Sequence, residues 1–230
     1  MEKFLKFACA LLLSATFQAQ AAIVHLPGDT VDFYYDDAQP GYAVYGSLTV
    51  VGDSIFAQPT LFKAEALNGA NADASALGTV TVVAKSGYDF DAVLVAQQGD
   101  YQMAGAGPTV SATAELTVDS NTSAASNVST LTSSSDFTVK GALTEWSSST
   151  QVDLSTAEWD GVMGIDLTLD SIIAATTASN GESALIQNKF VGGGMVTIET
   201  SPVPLPASLW LLLSGMAGLV GLSRRKVRNQ

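Results

Sequence analysis

The sequence predicts an all-β protein: an antiparallel β-sandwich with one short helix, placed between an N-terminal signal helix and a C-terminal transmembrane helix. Three observations predict this class. Stretches in which apolar and polar residues alternate recur between residues 22 and 200, glycine, asparagine and aspartate separate them, and apolar residues are concentrated at both ends of the chain. Alternation with a period of two is typical of strands that bury one face.

The first element is a secretory signal peptide over residues 1–21. Lys3 and Lys6 precede an apolar run, and Ala19 and Ala21 then form a small-residue cleavage site. A positive start, an apolar stretch and small residues in this order are typical of such signals, which favours them over the alternative of a buried N-terminal helix. We therefore expect cleavage after Ala21.

The body, residues 22–200, is predicted to be the β-sandwich. VSATAELTVD (residues 110–119) places every second residue on one face, and IDLTLD (residues 165–170) repeats the pattern. Seven or eight such strands favour an antiparallel sandwich. The further candidate strands are AVYGSLTVV (43–51), TVTVVAK (79–85), FDAVLVAQ (90–97), DFTVKGAL (136–143) and MVTIET (195–200).

Three other segments of the body carry structural predictions. PTLFKAEAL (residues 59–67) is the one candidate helix, because proline is tolerated in a first turn and Ala, Lys, Glu and Leu favour helix. Residues 120–135 are nearly all small and polar, which predicts either a long loop or a pair of weak edge strands. Gly192, Gly193 and Gly194 predict a turn or bulge before the last strand.

The tail contains a proline-rich linker (201–206), a charge-free apolar segment (207–222) and a basic end (223–230). Sixteen uncharged residues are a marginal membrane span. Alternating prolines keep the preceding strip extended, and the positive-inside rule places the basic cluster in the cytoplasm and the body outside. The cluster consists of Arg224, Arg225, Lys226 and Arg228.

These three features, in fixed order at the C-terminus, resemble the VPLPA variant of the PEP-CTERM sorting signal. The recognised strip would be Val203, Pro204, Leu205, Pro206 and Ala207. The resemblance implies an exported protein of a Gram-negative bacterium that makes exopolysaccharide. It also implies an exosortase-like membrane enzyme that reads the strip, cuts near it and passes the protein outward. A permanent single-span anchor is the alternative; a eukaryotic glycolipid-anchor signal fits less well, because those tails end in apolar residues.

The negative charge of the body excludes polyanionic partners. Residues 22–200 contain 21 acidic and 4 basic residues, and all three arginines lie in the tail. Such a body repels nucleic acid and anionic lipid but attracts cations. Calcium is therefore a candidate ligand. The alternative is an acidic, soluble surface, since no EF-hand loop is present. The candidate ligands are Asp29, Asp32, Asp36, Asp37, Asp89, Asp91, Asp160, Asp166 and Asp170.

The sequence predicts no catalytic residues and no resident cofactor or metal, so we expect a protein that is not an enzyme. His25 is the one histidine and lies close to the predicted mature N-terminus, where an edge-strand residue is expected rather than a catalytic one. Cys9, the one cysteine, lies in the predicted signal peptide, so the mature protein would lack disulfides and thiolate sites.

Carbohydrate contact is the remaining chemistry that the sequence suggests. The pairs Glu145–Trp146 and Glu158–Trp159 recur, and aromatic faces stack on sugars while two carboxylates can serve a glycosidase. Burial in the core is the competing interpretation of both tryptophans. A further aromatic cluster consists of Tyr34, Tyr35, Tyr42 and Tyr45.

We therefore expect a protein that is exported across the inner membrane, anchored transiently in it, and then released to the cell surface or the extracellular medium. Its expected role is structural or adhesive within an exopolysaccharide matrix. The expected partners are an exosortase-like enzyme, the membrane through the C-terminal helix before processing, and exopolysaccharide. The alternatives are a calcium-assisted carbohydrate-binding module and a glycoside hydrolase.

Overall fold

The computed structural model describes residues 22–59, 61–134, 136–189 and 195–203. Within these ranges the chain forms fourteen strands, all paired antiparallel, and one short helix. In chain order the elements are β1 (Ile23–Pro27), β2 (Val31–Asp36), α1 (Pro40–Tyr45), β3 (Leu48–Val51), β4 (Ser54–Ala57), β5 (Lys63–Leu67), β6 (Asn71–Ala84), β7 (Tyr88–Ala104), β8 (Thr109–Ser120), β9 (Ser126–Thr130), β10 (Thr132–Ser133), β11 (Thr144–Asp153), β12 (Gly164–Thr176), β13 (Ser183–Asn188) and β14 (Val196–Pro202).

The first sheet has six strands in the order β1-β2-β6-β12-β8-β9. Its centre is β12, which pairs with β6 on one side and with β8 on the other. Side chains of β12 alternate as the sequence predicts: Ile165, Leu167 and Leu169 are buried, while Asp166 and Asp170 lie on the outer face. The alternation predicted for residues 110–119 is likewise confirmed in β8.

The second sheet has eight strands, organised around β7. One side of β7 pairs with β11, and the other side pairs with β13 and β14, placed end to end. Beyond these, β14 continues to β4 and β3, whereas β13 continues to β5. A single seventeen-residue strand therefore sets the register of both halves of this sheet.

Both sheets contribute to one buried apolar cluster, which includes Leu116 and Ile165 of the first sheet and Val93 and Ile186 of the second. Two antiparallel sheets around a shared core give a sandwich-like arrangement. The prediction of an all-β body with one short helix is thereby confirmed. Both predicted terminal helices lie outside the described residues. Among the residues that are described, no helix is long and apolar enough to span a membrane.

A β-bulge adjusts the second sheet near its C-terminal strand. The register of β14 against β7 shifts between Glu199 and Thr200. Glu199 faces Ala92 and Thr200 faces Phe90, so Asp91 of β7 has no residue opposite it. An extra residue reverses the face of all following side chains. As a result both Phe90 and Val93 are buried in the core.

The helix α1 covers part of β6 that β2 does not reach. Pairing of β2 with β6 ends at Tyr35 and Val80. Beyond that point the hydroxyl of Tyr42 donates to the Thr79 carbonyl (2.7 Å) and the hydroxyl of Tyr45 donates to the Ala76 carbonyl (3.1 Å). The Tyr42 hydroxyl thus satisfies a strand carbonyl that another strand would otherwise bond. The Tyr45 hydroxyl reaches the side of β6 that pairs with β12, where it also lies 3.1 Å from Ser171 Oγ.

The predicted helix at residues 59–67 is wrong. Lys63–Leu67 is strand β5, paired with β13, and Ala64 and Ala66 are buried while Lys63 and Glu65 are exposed. The same five residues favour helix locally and also alternate with period two. Pairing and burial of the alanines are worth more than the small difference in helix propensity.

Two of the predicted strands differ from the structure, which also decides between the two interpretations of residues 120–135. Residues 136–143 form no strand, because Phe137 and Gly141 both take positive φ (51° and 82°). In the stretch 43–51 the first three residues belong to α1 and the strand begins at Leu48. The edge-strand interpretation of residues 120–135 is confirmed by β9 and β10. The predicted glycine turn at 192–194 lies outside the described residues.

Candidate functional site

A polar cleft of about 250 Å³ lies on the outer face of the second sheet, at the start of β11. Residues of β7, β11 and the segment just after β10 form its walls. Of the clefts found among the described residues, this one has side chains suited to a polar ligand. It is lined by Gln98, Gly99, Ser134, Glu145, Trp146 and Ser147.

Strand register positions the polar groups of the cleft. Glu145 lies directly opposite Asp100, and Ser147 lies directly opposite Gln98, across the β11–β7 pair. Ser134 closes the side wall, because its N–H donates to the Ser147 carbonyl (2.8 Å) and its Oγ lies 2.7 Å from the Ser147 Oγ. Two hydroxyls, an amide and an exposed carboxylate thus line one concave surface, and these groups both donate and accept hydrogen bonds.

Asp100 is the buried charge beside this cleft, only 6% exposed. Its carboxylate forms an ion pair with Lys189 and accepts a hydrogen bond from Gln187 Nε2 at 2.5 Å. A buried carboxylate needs such partners, because desolvation of an unpaired charge is costly. Lys189 therefore offsets the negative charge of Asp100, which leaves Glu145 as the exposed carboxylate that lines the cleft.

Trp146 borders the cleft from below, and its indole is almost wholly buried. The side chain is 3% exposed, it packs against Phe137, and its Nε1 donates to the Gln187 carbonyl at 3.2 Å. The indole crosses β7 at Gly99, where a Cβ atom would lie only 2.7 Å from Nε1. The interpretation of Trp146 as a core residue is therefore confirmed, and its ring is unavailable for stacking on a sugar.

No protein-family model matches the chain, and no curated protein matches it at a significant level.

The second predicted acid–aromatic pair lies elsewhere. Trp159 is 3% exposed, in the loop after β11, and its Nε1 is the one buried side-chain polar atom without a partner among the described residues. Glu145 and Glu158 are not brought together, because Glu145 lies at the start of β11 and Glu158 lies past its end. A ten-residue strand is about 30 Å long. A glycosidase needs its two carboxyl groups within about 10 Å.

The predicted tyrosine cluster is divided between the core and the surface. Tyr42 and Tyr45 are buried, and burial raises the pKa of both phenols well above the usual range. Tyr35 packs against Tyr42, with ring centroids 4.8 Å apart. Tyr34 lies on the outer face of the first sheet and stacks on His25 at 4.7 Å. The four rings therefore form no common platform for a ligand.

His25 occupies the edge strand β1, as the sequence predicts. Its Nε2 lies 3.4 Å from Asp32, and Lys85 lies 3.6 Å from the same carboxylate oxygen. Among the described residues no serine bonds to His25, so the members of a catalytic triad are not brought together there.

The predicted calcium ligands are dispersed in the structure. Asp36 accepts a bond from the Ala38 N–H, Asp91 accepts from the Ser201 hydroxyl, and Asp166 accepts from the Thr81 hydroxyl. Over the described ranges, no three acidic or histidine side chains are grouped so that they could hold a metal ion.

Two acidic pairs oppose each other on the outer face of the first sheet. Asp119 faces Asp166, and Glu115 faces Asp170, across the β8–β12 pair. Like charges placed directly opposite on neighbouring strands repel each other. Sequence alternation placed all four on the solvent face, but only the register shows that they are paired.

We predict that Glu115→Gln raises the free energy of unfolding by about 0.3 kcal/mol at low ionic strength, because it removes one repulsive pair. The gain should disappear at about 1 M salt, where the screening length falls to about 3 Å. Urea denaturation at both salt concentrations measures the difference. Glu65→Gln is the matched control, since Glu65 pairs favourably with Lys63 at 2.9 Å. A stabilisation that persists in high salt would contradict the electrostatic explanation.

Two carboxylates that the sequence did not single out hold loops together. Asp53 accepts bonds from the Thr30 N–H (2.8 Å) and hydroxyl (2.6 Å), and the Thr30 hydroxyl also contacts Thr200 of β14. Partial burial favours a raised pKa for Asp53, but the hydrogen bonds outweigh it and the net pKa is lowered. Glu182 accepts backbone bonds from Gly107 (2.7 Å), Ala178 (2.9 Å) and Ser179 (3.0 Å).

Stability should fall in acid partly through Glu182. The Gly107 N–H and then the Ala178 and Ser179 N–H groups lower its pKa in the folded state. The unfolded state therefore binds a proton at Glu182 more readily than the folded state does. The stability that the Glu182 carboxylate contributes is complete above the ordinary glutamate pKa of about 4.3, and it is lost as the pH falls through the lowered pKa of the folded state. We expect Glu182→Gln to flatten the dependence of Tm on pH between about pH 5 and 3.

Thermal unfolding across that range, read by circular dichroism, measures this prediction. Asp73→Asn is the matched control, because Asp73 is an exposed strand residue. Equal slopes for the wild type and Glu182→Gln would contradict the role assigned to Glu182.

The predicted sorting residues lie at and beyond the end of the described chain. Val203, the first residue of the strip, is described: its N–H donates to the Gly87 carbonyl at 2.9 Å. The rest of the strip, the basic cluster and the signal-cleavage residues Ala19 and Ala21 lie outside the described residues.

Proposed function

We propose that the chain is an exported protein with a β-sandwich body, sorted through its C-terminal tail to the cell surface or the extracellular polysaccharide matrix, where it is structural or adhesive. The observation that carries this proposal is the order of the tail. A proline-rich strip, an uncharged apolar run and a basic cluster follow directly on the last strand. An exosortase-like enzyme reads the strip while the apolar run holds the chain in the bilayer.

The end of the folded body supports this proposal. β14 pairs with β7 as far as Pro202, opposite Tyr88, and Val203 still bonds to Gly87. Only three residues, 204–206, separate Val203 from the predicted membrane segment, and three residues span at most about 11 Å. The body is therefore tethered close to the membrane before processing, with no long linker.

The composition of the body also supports an extracellular role. Its excess of acidic residues keeps it soluble, and it needs no disulfide because one continuous core joins the two sheets. The role in the matrix requires contact with polymer and with other proteins and requires no catalysis.

Mass spectrometry of the exported product tests the sorting proposal. We expect exported wild-type protein to lack peptides from residues 222–230, and a variant with Pro204→Ala and Pro206→Ala to retain them and stay in the membrane fraction. Thr200→Ala, which alters the folded side of the same junction, is the matched control and should be processed normally. Recovery of the basic tail on released wild-type protein would refute the proposal.

A second candidate function is carbohydrate binding at the polar cleft. The specific observation is the set of Ser134, Ser147, Gln98 and Glu145 around a volume of about 250 Å³, which suits the hydroxyl groups of one sugar residue. Calcium is the proposed auxiliary ligand, since an exposed carboxylate can coordinate it together with sugar oxygens.

Calorimetry with matrix polysaccharide, with and without chelator, tests this second function. We expect heat of binding that Glu145→Gln weakens at least tenfold and that Glu115→Gln, on the outer face of the other sheet, leaves unchanged. Absence of heat, or an equal effect of both substitutions, would refute binding at the cleft. Equal affinity with and without chelator would show that calcium takes no part in this binding.

A further inference from the structure

Strand β9 forms one edge of the first sheet and leaves a row of backbone groups directed away from the sheet. It pairs with β8 on its other side. The Ala125 carbonyl accepts from Ser120, and the Leu131 N–H donates to Ala114, both at 2.9 Å. Bonding alternates along an antiparallel pair, so odd-numbered residues of this segment bond to β8. The N–H and C=O groups of the even-numbered residues therefore point outward.

This edge lacks the features that block pairing with another chain. Its sequence, SNVST, contains no charge and no proline, and its central residue Val128 is 57% exposed. Edge strands of soluble proteins are usually protected by charge, proline, short length or a covering segment. β1 carries Pro27, β5 carries Lys63 and Glu65, and β3, which is also uncharged, is shorter and contacts β1.

We propose that two copies of this chain associate by antiparallel pairing of β9 with β9, about a two-fold axis at Val128. The strand has five residues and its outward groups belong to the first, third and fifth. A two-fold axis at the third residue therefore places Val128 opposite Val128 of the second copy and Ser126 opposite Thr130 of the second copy. Each outward residue donates one bond and accepts one, so the pairing forms six backbone hydrogen bonds and joins two six-stranded sheets into one.

Charge favours this edge over other surfaces for self-association. Each body carries 21 acidic and 4 basic residues, so two copies repel each other wherever acidic faces meet. The carboxylates nearest to β9, those of Glu115 and Asp119, lie on β8. In the pair, the two β8 strands are three strand spacings apart, about 14 Å, which exceeds the screening length of about 8 Å at physiological ionic strength.

Two consequences distinguish this association from one held by ion pairs. Five residues from each copy make a small interface, so the affinity is low and the dimer forms at high local concentration, as in a matrix. Because residual repulsion is screened by salt, raising the ionic strength strengthens the association. Neither consequence depends on how the tail is processed.

Disulfide trapping in the full chain carrying Cys9→Ser tests the register. Cys9 is the one cysteine of the sequence, so each further substitution to cysteine then gives an unambiguous readout. Val128→Cys should cross-link to itself at least tenfold faster than Ser126→Cys. The axis sets residue 128 opposite its own copy at a Cα separation of about 5.5 Å, within disulfide range, whereas residue 126 faces residue 130. The double variant Ser126→Cys with Thr130→Cys should cross-link again.

Sedimentation equilibrium of residues 22–203, which contain every described strand and the shared core, tests the association itself. We expect reversible dimers at concentrations up to about 1 mM, strengthened by salt and weakened at least tenfold by Val128→Lys. Val51→Lys, at an equally uncharged edge valine that is 70% exposed, is the matched control and should leave the affinity unchanged.

Several results would overturn the proposal. They are a monomer throughout that concentration range, dimers that Val128→Lys does not weaken, association weakened by salt, and cross-linking at residue 128 no faster than at residue 126. Dimers that survive Val128→Lys would assign self-association to another surface.

Discussion

Gly99→Ala is expected to lower the free energy of unfolding by about 3 kcal/mol or more, because the added methyl group has no space between β7 and β13. A Cβ atom at residue 99 would lie 1.9 Å from the Gln187 carbonyl oxygen and 2.7 Å from Trp146 Nε1. The first contact is with backbone, so relief requires β13 to move away from β7. The second displaces the indole and breaks its hydrogen bond to the same carbonyl.

Thermal unfolding measures this effect, and a loss of 3 kcal/mol corresponds to a fall in Tm of about 6 to 12 °C for a domain of this size. Gly78→Ala is the matched control, because it also adds one methyl group to a strand glycine that faces the core. Its nearest neighbours are ring atoms of Tyr45 at 3.2 Å, and a side chain yields more readily than a strand. A loss for Gly99→Ala no larger than that of the control would contradict the close approach of β13.

Ser171→Ala is expected to cost about 2 kcal/mol, because it leaves polar groups unpaired inside the core. The Ser171 hydroxyl lies between the two sheets and contacts Gln97 Nε2 of β7 at 2.5 Å and the Tyr45 hydroxyl of α1 at 3.1 Å. Gln97 is 5% exposed and Tyr45 is 2% exposed. A buried amide that loses its partner carries the desolvation cost of that group, about 1 to 3 kcal/mol.

Chemical denaturation of Ser171→Ala, Tyr45→Phe and the double variant measures the network. Because the two hydroxyls share a contact, the double variant should lose less than the sum of the single losses. Ser129→Ala is the control: its hydroxyl bonds Thr150 at 2.6 Å in a half-buried position, where water can replace it, so a loss below about 1 kcal/mol is expected. Equal losses for Ser129→Ala and Ser171→Ala would show that burial of the network is not what makes it costly to disrupt.

Alternation predicted the longest strands correctly because each buries one face over many residues. In β8 and β12 the pattern persists for a dozen residues, and no other structure places those residues equally well. The prediction failed where the local signal is short. Residues 63–67 suit a helix as well as a strand, and α1 was missed because Pro40–Tyr45 is only six residues long and overlaps the strand predicted for residues 43–51.

Local sequence also failed to predict which side chains form the candidate site. The sequence singled out Glu145 and Trp146 as neighbours, but adjacent residues of a strand point to opposite faces. Glu145 consequently lines the cleft, and Trp146 fills the core. The other groups at the site, Asp100 and Gln98, lie more than forty residues away along the chain, and no local pattern connects them to β11.

The sequence by itself determined the strand-rich character of the body, its strongly acidic charge, the confinement of cysteine to residue 9 and the order of features in the tail, since each is a property of composition or short-range pattern. Only the tertiary structure decided which strands pair, that β13 and β14 share one side of β7, that Glu145 faces Asp100, and that β9 is left as an uncharged edge. The reason is physical. Pairing energies depend on backbone groups and buried surfaces that meet across large sequence separations, and local preferences of a few tenths of a kcal/mol per residue do not specify them.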